Sequence, residues 1–226
     1  MNPPTTQHGV KKHDFSPYAN NGGTTLALPG KDFAIAAGDT RLSSGYSIQS
    51  RYTPKLKILT NKCVISTAGC QTDTTALWKL LEARITFYEH EHGKTMSTPA
   101  IAQMLMNILY SRRMFPYYTF NMLSGIDEEG NGCVYGYDAI GSYQKIHAGA
   151  QGSGQSLIQP LLDSQRSFKN QIWVPEEDLS LEYAKTLVKD GFQSAGERDI
   201  YTGDTVQIMV ITKDGIAVEE MALKKD

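Results

Sequence analysis

The sequence predicts an α+β fold, a four-layer αββα sandwich in which two mainly antiparallel sheets are each flanked by a helix pair. Three observations predict it. The hydrophobic period runs in the order strands, two helices, strands, two helices, strands. The strand-like runs are short, β-branched and joined by hairpin signals, which favours antiparallel pairing. The chain has 226 residues, 40% of them hydrophobic, enough to close one large core or two small ones.

Residues 1–21 differ from the rest. They are rich in Pro, Thr, His and Asn, carry a Lys11-Lys12-His13-Asp14 cluster, and have Phe15, Pro17 and Tyr18 as their only large anchors. We read an N-terminal arm here and one domain over 22–226. After Gly22-Gly23, Thr24–Leu28 and Phe33–Ala37 are apolar runs around the turn Pro29-Gly30-Lys31-Asp32. Leu56–Leu59 and Cys63–Thr67 form a second pair around Thr60-Asn61-Lys62. From Thr74 to about His90 the period changes: Leu77, Leu80, Leu81, Ile85 and Tyr88 recur at helical steps, with Asp73 or Thr72 as cap and Gly93 as terminator. A second helix opens at Ser97 or Thr98 before Pro99, carries Ile101, Leu105, Ile108 and Leu109 as its stripe, and runs to about Met114, with Pro116 as its stop.

Tyr118–Gly125 and Val134–Asp138 then flank the polar turn 127–132, and Ser142–His147 adds a third strand. Gly149–Gly154 reads as a glycine-rich turn leading into a helix near Ser156–Asp163. The segment Gln165–Ser180, with Trp173 and Pro175, is long for a simple helix connection and is assigned to a contact with another chain. A helix over Leu181–Arg198 keeps Tyr183, Leu187, Val188 and Phe192 in register. Two strands, Thr205–Thr212 and Ile216–Ala222, close the chain around Lys213-Asp214-Gly215.

Composition excludes several functions. The formal net charge is −2, which argues against nucleic acid as the main partner, since phosphate binding needs a basic surplus. The longest apolar run, Ala100–Tyr110, is interrupted by Gln103 and Asn107 and falls short of the roughly 20 residues of a membrane span. The N-terminus lacks an apolar segment of secretory type. Three cysteines, Cys63, Cys70 and Cys133, lack metal-type spacing and suit a reducing compartment. Gly93-Lys94-Thr95 fails as a phosphate loop, because Tyr88 stands where the first glycine belongs. His90-Glu91-His92 has its histidines two apart, whereas a zinc helix wants them four apart on one face. No cofactor and no metal are expected.

One constellation survives. Gly22-Gly23-Thr24-Thr25-Leu26-Ala27-Leu28 is followed by Phe33 to Arg41 with Gly38-Asp39-Thr40-Arg41, then by Lys55, Gly69, Ser153 and Arg198-Asp199-Ile200-Tyr201-Thr202-Gly203-Asp204. This pattern resembles the proteasome beta subunits of the N-terminal-nucleophile hydrolase superfamily, over nearly everything after Gly22. Phe15-Ser16-Pro17-Tyr18, the run Tyr110 to Tyr118, Gly141-Ser142-Tyr143-Gln144 and Gln159-Pro160-Leu161-Leu162-Asp163 resemble most the members at the beta-6 position of the eukaryotic 20S ring. The sandwich derived above is also that family's fold.

The resemblance implies a threonine protease particle in which active subunits attack with the hydroxyl of a threonine freed by cleavage after a glycine, its proton managed by the new α-amine or a nearby lysine. Active members read Gly-Thr-Thr-Thr followed by an apolar residue. Anchored on Leu26 and Asp39, this chain puts Gly23 at the nucleophile position, so no catalytic residue is expected. The competing reading is cleavage after Gly23 with Thr24 as nucleophile. A one-residue slip along a strand turns the side chain to the other face, which argues against it. Asp39, Lys55, Ser153, Asp199 and Thr202 are then remnants with structural roles: Asp39 and Lys55 as a partly buried ion pair, the other three satisfying amides in their turns. The resemblance further implies that Asp127 lines a substrate pocket of the adjacent beta-5 subunit, although a simple turn role explains an aspartate there equally well. Implied partners are the beta-5 and beta-7 neighbours, the opposite beta ring and the alpha ring, in cytoplasm and nucleus. The aromatic run Phe115–Phe120 reads equally as core or interface.

Overall fold

The computed structural model describes residues 16–172 and 178–226. In chain order its elements are β1 (Thr24–Pro29), β2 (Phe33–Asp39), β3 (Leu42–Ser44), β4 (Ser47–Ser50), β5 (Leu56–Thr60), β6 (Cys63–Gly69), α1 (Gln71–His92), α2 (Thr98–Ser111), β7 (Thr119–Ile126), β8 (Gly132–Tyr137), β9 (Tyr143–Lys145), β10 (Gly149–Gly152), α3 (Gln155–Gln165), α4 (Leu181–Arg198), β11 (Thr205–Thr212) and β12 (Gly215–Ala222). One five-stranded sheet has the order β10-β1-β2-β11-β12, the other β5-β6-β7-β8-β9, and β3-β4 form a separate hairpin. Every pairing is antiparallel.

The period-2 alternation of the strands separates the layers. In β1 and β2, Leu26, Leu28, Phe33, Ile35 and Ala37 face Ile158 and Leu162 of α3 and Val188 and Phe192 of α4. Their alternates Ala34 and Ala36 face inward, meeting Leu56, Val64, Ile126, Met209 and Ile211 between the two sheets. On the second sheet, Cys63, Ile65 and Leu123 turn outward to Leu77, Leu81 and Ile85 of α1 and Ile101, Leu105 and Leu109 of α2. Helix pair, sheet, sheet, helix pair is the four-layer α+β sandwich that the sequence predicts.

Several boundaries differ, each for a local reason. Helix α1 starts at Gln71, with Cys70 rather than Thr72 or Asp73 at the N-cap. The Asp73 carboxylate instead accepts the Tyr118 amide at 2.8 Å. Gly93 ends the helix as expected, in the left-handed conformation at φ 64°. Helix α2 ends at Ser111, and tight turns at Arg112, Arg113 and Phe115 carry the chain to Pro116, which disfavours helix in the residue before it. Gly149–Gly154 is not simply a turn. Gly149–Gly152 form the edge strand β10, Thr24 pairing with Gly152 and Ala27 with Gly149. Strands β3 and β4 carry no strong apolar signal and were not expected. Phe15 of the arm, and Trp173 and Pro175 of the long connection, lie outside the described residues. The aromatic run divides: Tyr117 packs partly against the α1–α2 cluster, while Phe115 is 57% exposed. No helix among the described residues is long and apolar enough to cross a membrane.

Candidate functional site

The N-terminal end of β1 is held between the end of β2, the residue Lys55 before β5, the β10–α3 turn and the α4–β11 turn. Gly23 and the strand that follows it are buried. Asp39, the last residue of β2, is fully buried and accepts the Thr24 amide on Oδ1 at 2.8 Å and the Gly203 amide on Oδ2 at 3.2 Å. Lys55, 5% exposed, pairs with Asp39 Oδ1 at 3.1 Å and donates to the carbonyls of Asp39 at 3.0 Å and Arg41 at 2.6 Å. Its ammonium therefore has three acceptors. Burial pushes the Asp39 carboxyl above the ordinary range, with the Lys55 charge and the two amides opposing it.

Gly23 has φ +82°. A Cβ built on it would overlap Lys55 Cε and stand 2.5 Å from Lys55 Nζ and 3.0 Å from Asp39 Oδ1. The lysine chain thus fills the volume that a side chain at position 23 would use. A second cluster lies on the other side of the strand. The Thr24 hydroxyl is 2.6 Å from the Thr202 hydroxyl and accepts the Gly154 amide at 2.9 Å. Thr202 and Ser153 each donate to Asp199 Oδ2 at 2.6 Å, and Asp199 Oδ1 accepts the Tyr201 amide at 3.1 Å. The Ser153 amide donates to the Gly23 carbonyl at 2.9 Å.

Asp39, Lys55, Ser153, Asp199 and Thr202 thus gather around residues 23 and 24. Two details differ. The Asp39–Lys55 pair is wholly buried, and Ser153 and Thr202 spend their hydroxyl protons on the Asp199 carboxylate rather than serving turn amides. Thr24 is fully buried, its amide nitrogen is engaged by Asp39, and its hydroxyl faces Thr202 and Gly154 while Lys55 makes its bonds elsewhere. This is the face reversal that a slip of one strand residue entails.

The remainder of the chain carries the same pattern. A family model described as "Proteasome subunit" matches residues 19–211. The chain belongs to the proteasome subunit family. It is 51% identical over 222 residues to proteasome subunit beta type-1 of Arabidopsis thaliana, covering 96% of this chain and 100% of that protein. It is 53% identical over 218 residues to proteasome subunit beta type-1-B of Carassius auratus, covering 96% and 92%. Proteasome subunit beta type-6 of Saccharomyces cerevisiae is 42% identical over 224 residues, covering 95% and 93%. Within this proteasome subunit, Asp127 lies away from Gly23, in the β7–β8 turn. Its Oδ1 accepts the amides of Glu129 at 3.1 Å and Asn131 at 2.8 Å, and its Oδ2 pairs with Lys145 at 3.6 Å.

Sequence reasoning quotes Arg41 and Asp204 within the motif but assigns neither a role. Arg41 Nε donates to Asp204 Oδ2 at 2.8 Å, and its two terminal nitrogens reach the carbonyls of Ile200, Lys224 and Asp226. Arg51 joins from the surface, 2.5 Å from Asp204 Oδ1. These two arginines tie the C-terminal residues to the turn that carries Asp199 and Thr202. A buried aspartate at positive φ (68° for Asp204) after a glycine leaves no mark in composition or period.

Proposed function

We propose that this chain is a non-catalytic structural beta subunit of the 20S proteasome core particle, the compartment that degrades proteins in the ubiquitin–proteasome pathway. The supporting observation is the geometry at Gly23. The position that faces Lys55 and Asp39 carries no hydroxyl, and the lysine side chain fills the space. Nucleophilic catalysis by this superfamily's route needs an oxygen there and a base beside it. Thr24 offers an oxygen, but one facing Thr202 and Gly154. Misplacement of about 1 Å already costs about a hundredfold in rate, and this is a reversal of face.

The subunit then contributes surfaces. Its similarity to beta type-1 proteins over nearly the whole chain supports a place in the beta ring, which we assign to the beta-6 position, between beta-5 and beta-7, against the opposite beta ring and the alpha ring; the compartments we assign are cytoplasm and nucleus. Asp127 has its Oδ2 directed to the half-exposed Lys145, so a carboxylate–ammonium pair is offered at a turn tip that a neighbour can use. In that reading it borders the beta-5 substrate pocket.

The test is the mature N-terminus together with a threonine-directed probe. Mass spectrometry of the assembled particle is expected to find chain preceding Gly23, and an epoxyketone is expected to label other subunits and not this one. A free Thr24 that becomes covalently labelled overturns the proposal.

A further inference from the structure

The turn between α2 and β7 carries a patch that neither the layers nor the site around Gly23 uses. Met114 is 95% exposed, Tyr110 61% and Phe115 57%. Arg112 and Arg113, between them in the chain, are exposed as well. A single exposed aromatic such as Phe87 is ordinary on a protein surface. Large apolar side chains crowded into one turn and interleaved with two guanidiniums mark an interaction site. The charge is also unbalanced. Among the described residues, neither Arg112 nor Arg113 enters an ion pair, although lysines and arginines elsewhere do. The stretch Tyr110 to Tyr118 contains no acidic residue, and the whole chain has a formal net charge of −2, so this positive charge is local.

The backbone under the patch is fixed. The Arg112 amide donates to the Leu109 carbonyl at 3.1 Å, the Arg113 amide to the Tyr110 carbonyl at 3.0 Å and the Phe115 amide to the Arg112 carbonyl at 2.9 Å. Gly141, at φ +100°, packs against the end of α2 so closely that a Cβ would stand 2.8 Å from the Met106 carbonyl oxygen. Two of the side chains are held too. The Arg112 guanidinium lies 5.2 Å from the centre of the Tyr117 ring, and Phe115 stacks on Tyr18 with centroids 5.5 Å apart. Groups already ordered lose less freedom on binding. Tyr, Phe, Met and Arg are the types enriched at the centres of protein interfaces, and Arg grips a carboxylate through paired N–H donors. Nucleic acid fits less well, because it needs a stripe of many cations.

We propose that the Tyr110–Phe115 turn anchors an adjacent subunit of the particle, receiving a segment in which carboxylates flank a large apolar side chain. The carboxylates pair with Arg112 and Arg113, and the apolar side chain covers Met114. This rests on the reading of the chain as a beta subunit, and it names one contact surface and the chemistry of its partner.

The first test is oxidation of Met114 by hydrogen peroxide, followed by mass spectrometry, in assembled particles and in the purified full chain. Met114 is expected to oxidise at least about tenfold more slowly in particles. Equal rates overturn the proposal. Particles that lack the chain altogether overturn the beta-subunit reading and this one with it, whereas particles that contain it with Met114 uncovered overturn this one alone. The second test is a photo-cross-link from Met114→photo-methionine in particles. One peptide of another subunit, containing Asp or Glu, is expected; a peptide without a carboxylate, or scattered adducts, refutes the partner's chemistry. The third test is the double variant Arg112→Glu with Arg113→Glu. Both positions are exposed, so the unfolding midpoint of the purified chain should not move. Incorporation into particles in competition with the parent chain is expected to fall at least about tenfold, and Arg112→Lys with Arg113→Lys should restore most of it. Incorporation equal to the parent's contradicts the proposal.

Discussion

Lys55 and Asp39 pair as opposite charges, both buried, so neither is removed cheaply. A buried pair that loses one member leaves an uncompensated charge, at a cost of about 3–5 kcal/mol. Lys55→Met is therefore expected to lower the stability of the purified chain by about that amount in thermal or denaturant unfolding. Peptide hydrolysis per assembled particle stays unchanged. Asp39→Leu combined with Lys55→Met recovers part of the loss but not all, because the Thr24 and Gly203 amides then lose their acceptor, at about 1–3 kcal/mol for each left unsatisfied. A fall in particle activity that exceeds the fall in particle yield would contradict a purely structural role.

Asp204 makes a pH-dependent case. Burial raises its carboxyl, but hydrogen bonds and charge from Arg41 and Arg51 overcome this and hold it below the ordinary range. A carboxyl whose folded value lies below its unfolded value of about 3.9 stabilises the fold above that pH. The contribution is lost as pH falls through the lower, folded value. Asp204→Asn should destabilise the purified chain near neutrality, with Arg41 left buried beside a neutral partner. The gap between variant and parent in unfolding midpoint should stay constant from pH 7 to about 5, then close as the parent's own carboxyl protonates. A gap that widens in acid would refute this assignment.

At the scale of elements, α4 and α1 give contrasting cases. Helix α4 has its own cap, with Ser180 Oγ accepting the Tyr183 amide, and its boundaries coincide with the sequence reading at Leu181 and Arg198. Its apolar stripe is anchored by Phe192, the largest fully buried side chain among the described residues. Phe192→Ala should cost about 3–5 kcal/mol in unfolding of the purified chain, because the transfer loss is joined by a cavity that a strand–helix layer cannot collapse. Phe87→Ala on the exposed face of α1 serves as the control and should stay within about 0.5 kcal/mol. Helix α1 takes its N-terminal partner from Asn21, fifty residues upstream, so local cap signals pointed to Asp73 and Thr72 instead. Strand β10 was equally hidden. Gly149–Gly152 has no side-chain alternation to read, and its partner β1 lies more than a hundred residues away.

At the scale of the whole molecule, closing two sheets back to back leaves the helix pairs and turn tips outward. The exposed aromatic and methionine side chains at Tyr110, Met114 and Phe115 sit on one such edge. The Asp127–Lys145 pair sits on a turn tip. If that pair borders the beta-5 pocket, Asp127→Ala in assembled particles should shift substrate or inhibitor preference of the chymotrypsin-like activity about two- to tenfold, the scale of one charged contact of about 0.5–1.4 kcal/mol at a partly exposed site. The trypsin-like and caspase-like activities should not move. No shift in any preference would reduce Asp127 to the turn residue that its bonds to Glu129 and Asn131 already account for.

The sequence by itself determined the layers and the strand and helix order, because those follow from hydrophobic period, a local property, whereas the reading of Gly23 as an empty nucleophile position is what the resemblance of its motif implies. Tertiary structure alone decided where Lys55 extends, which face the Thr24 hydroxyl takes, how Arg41 and Asp204 gather the C-terminus, and what Asn21 pairs with. Each of these joins groups far apart in the chain through hydrogen bonds that carry no periodic signature, and such bonds exist only once the sheets have closed and water has left.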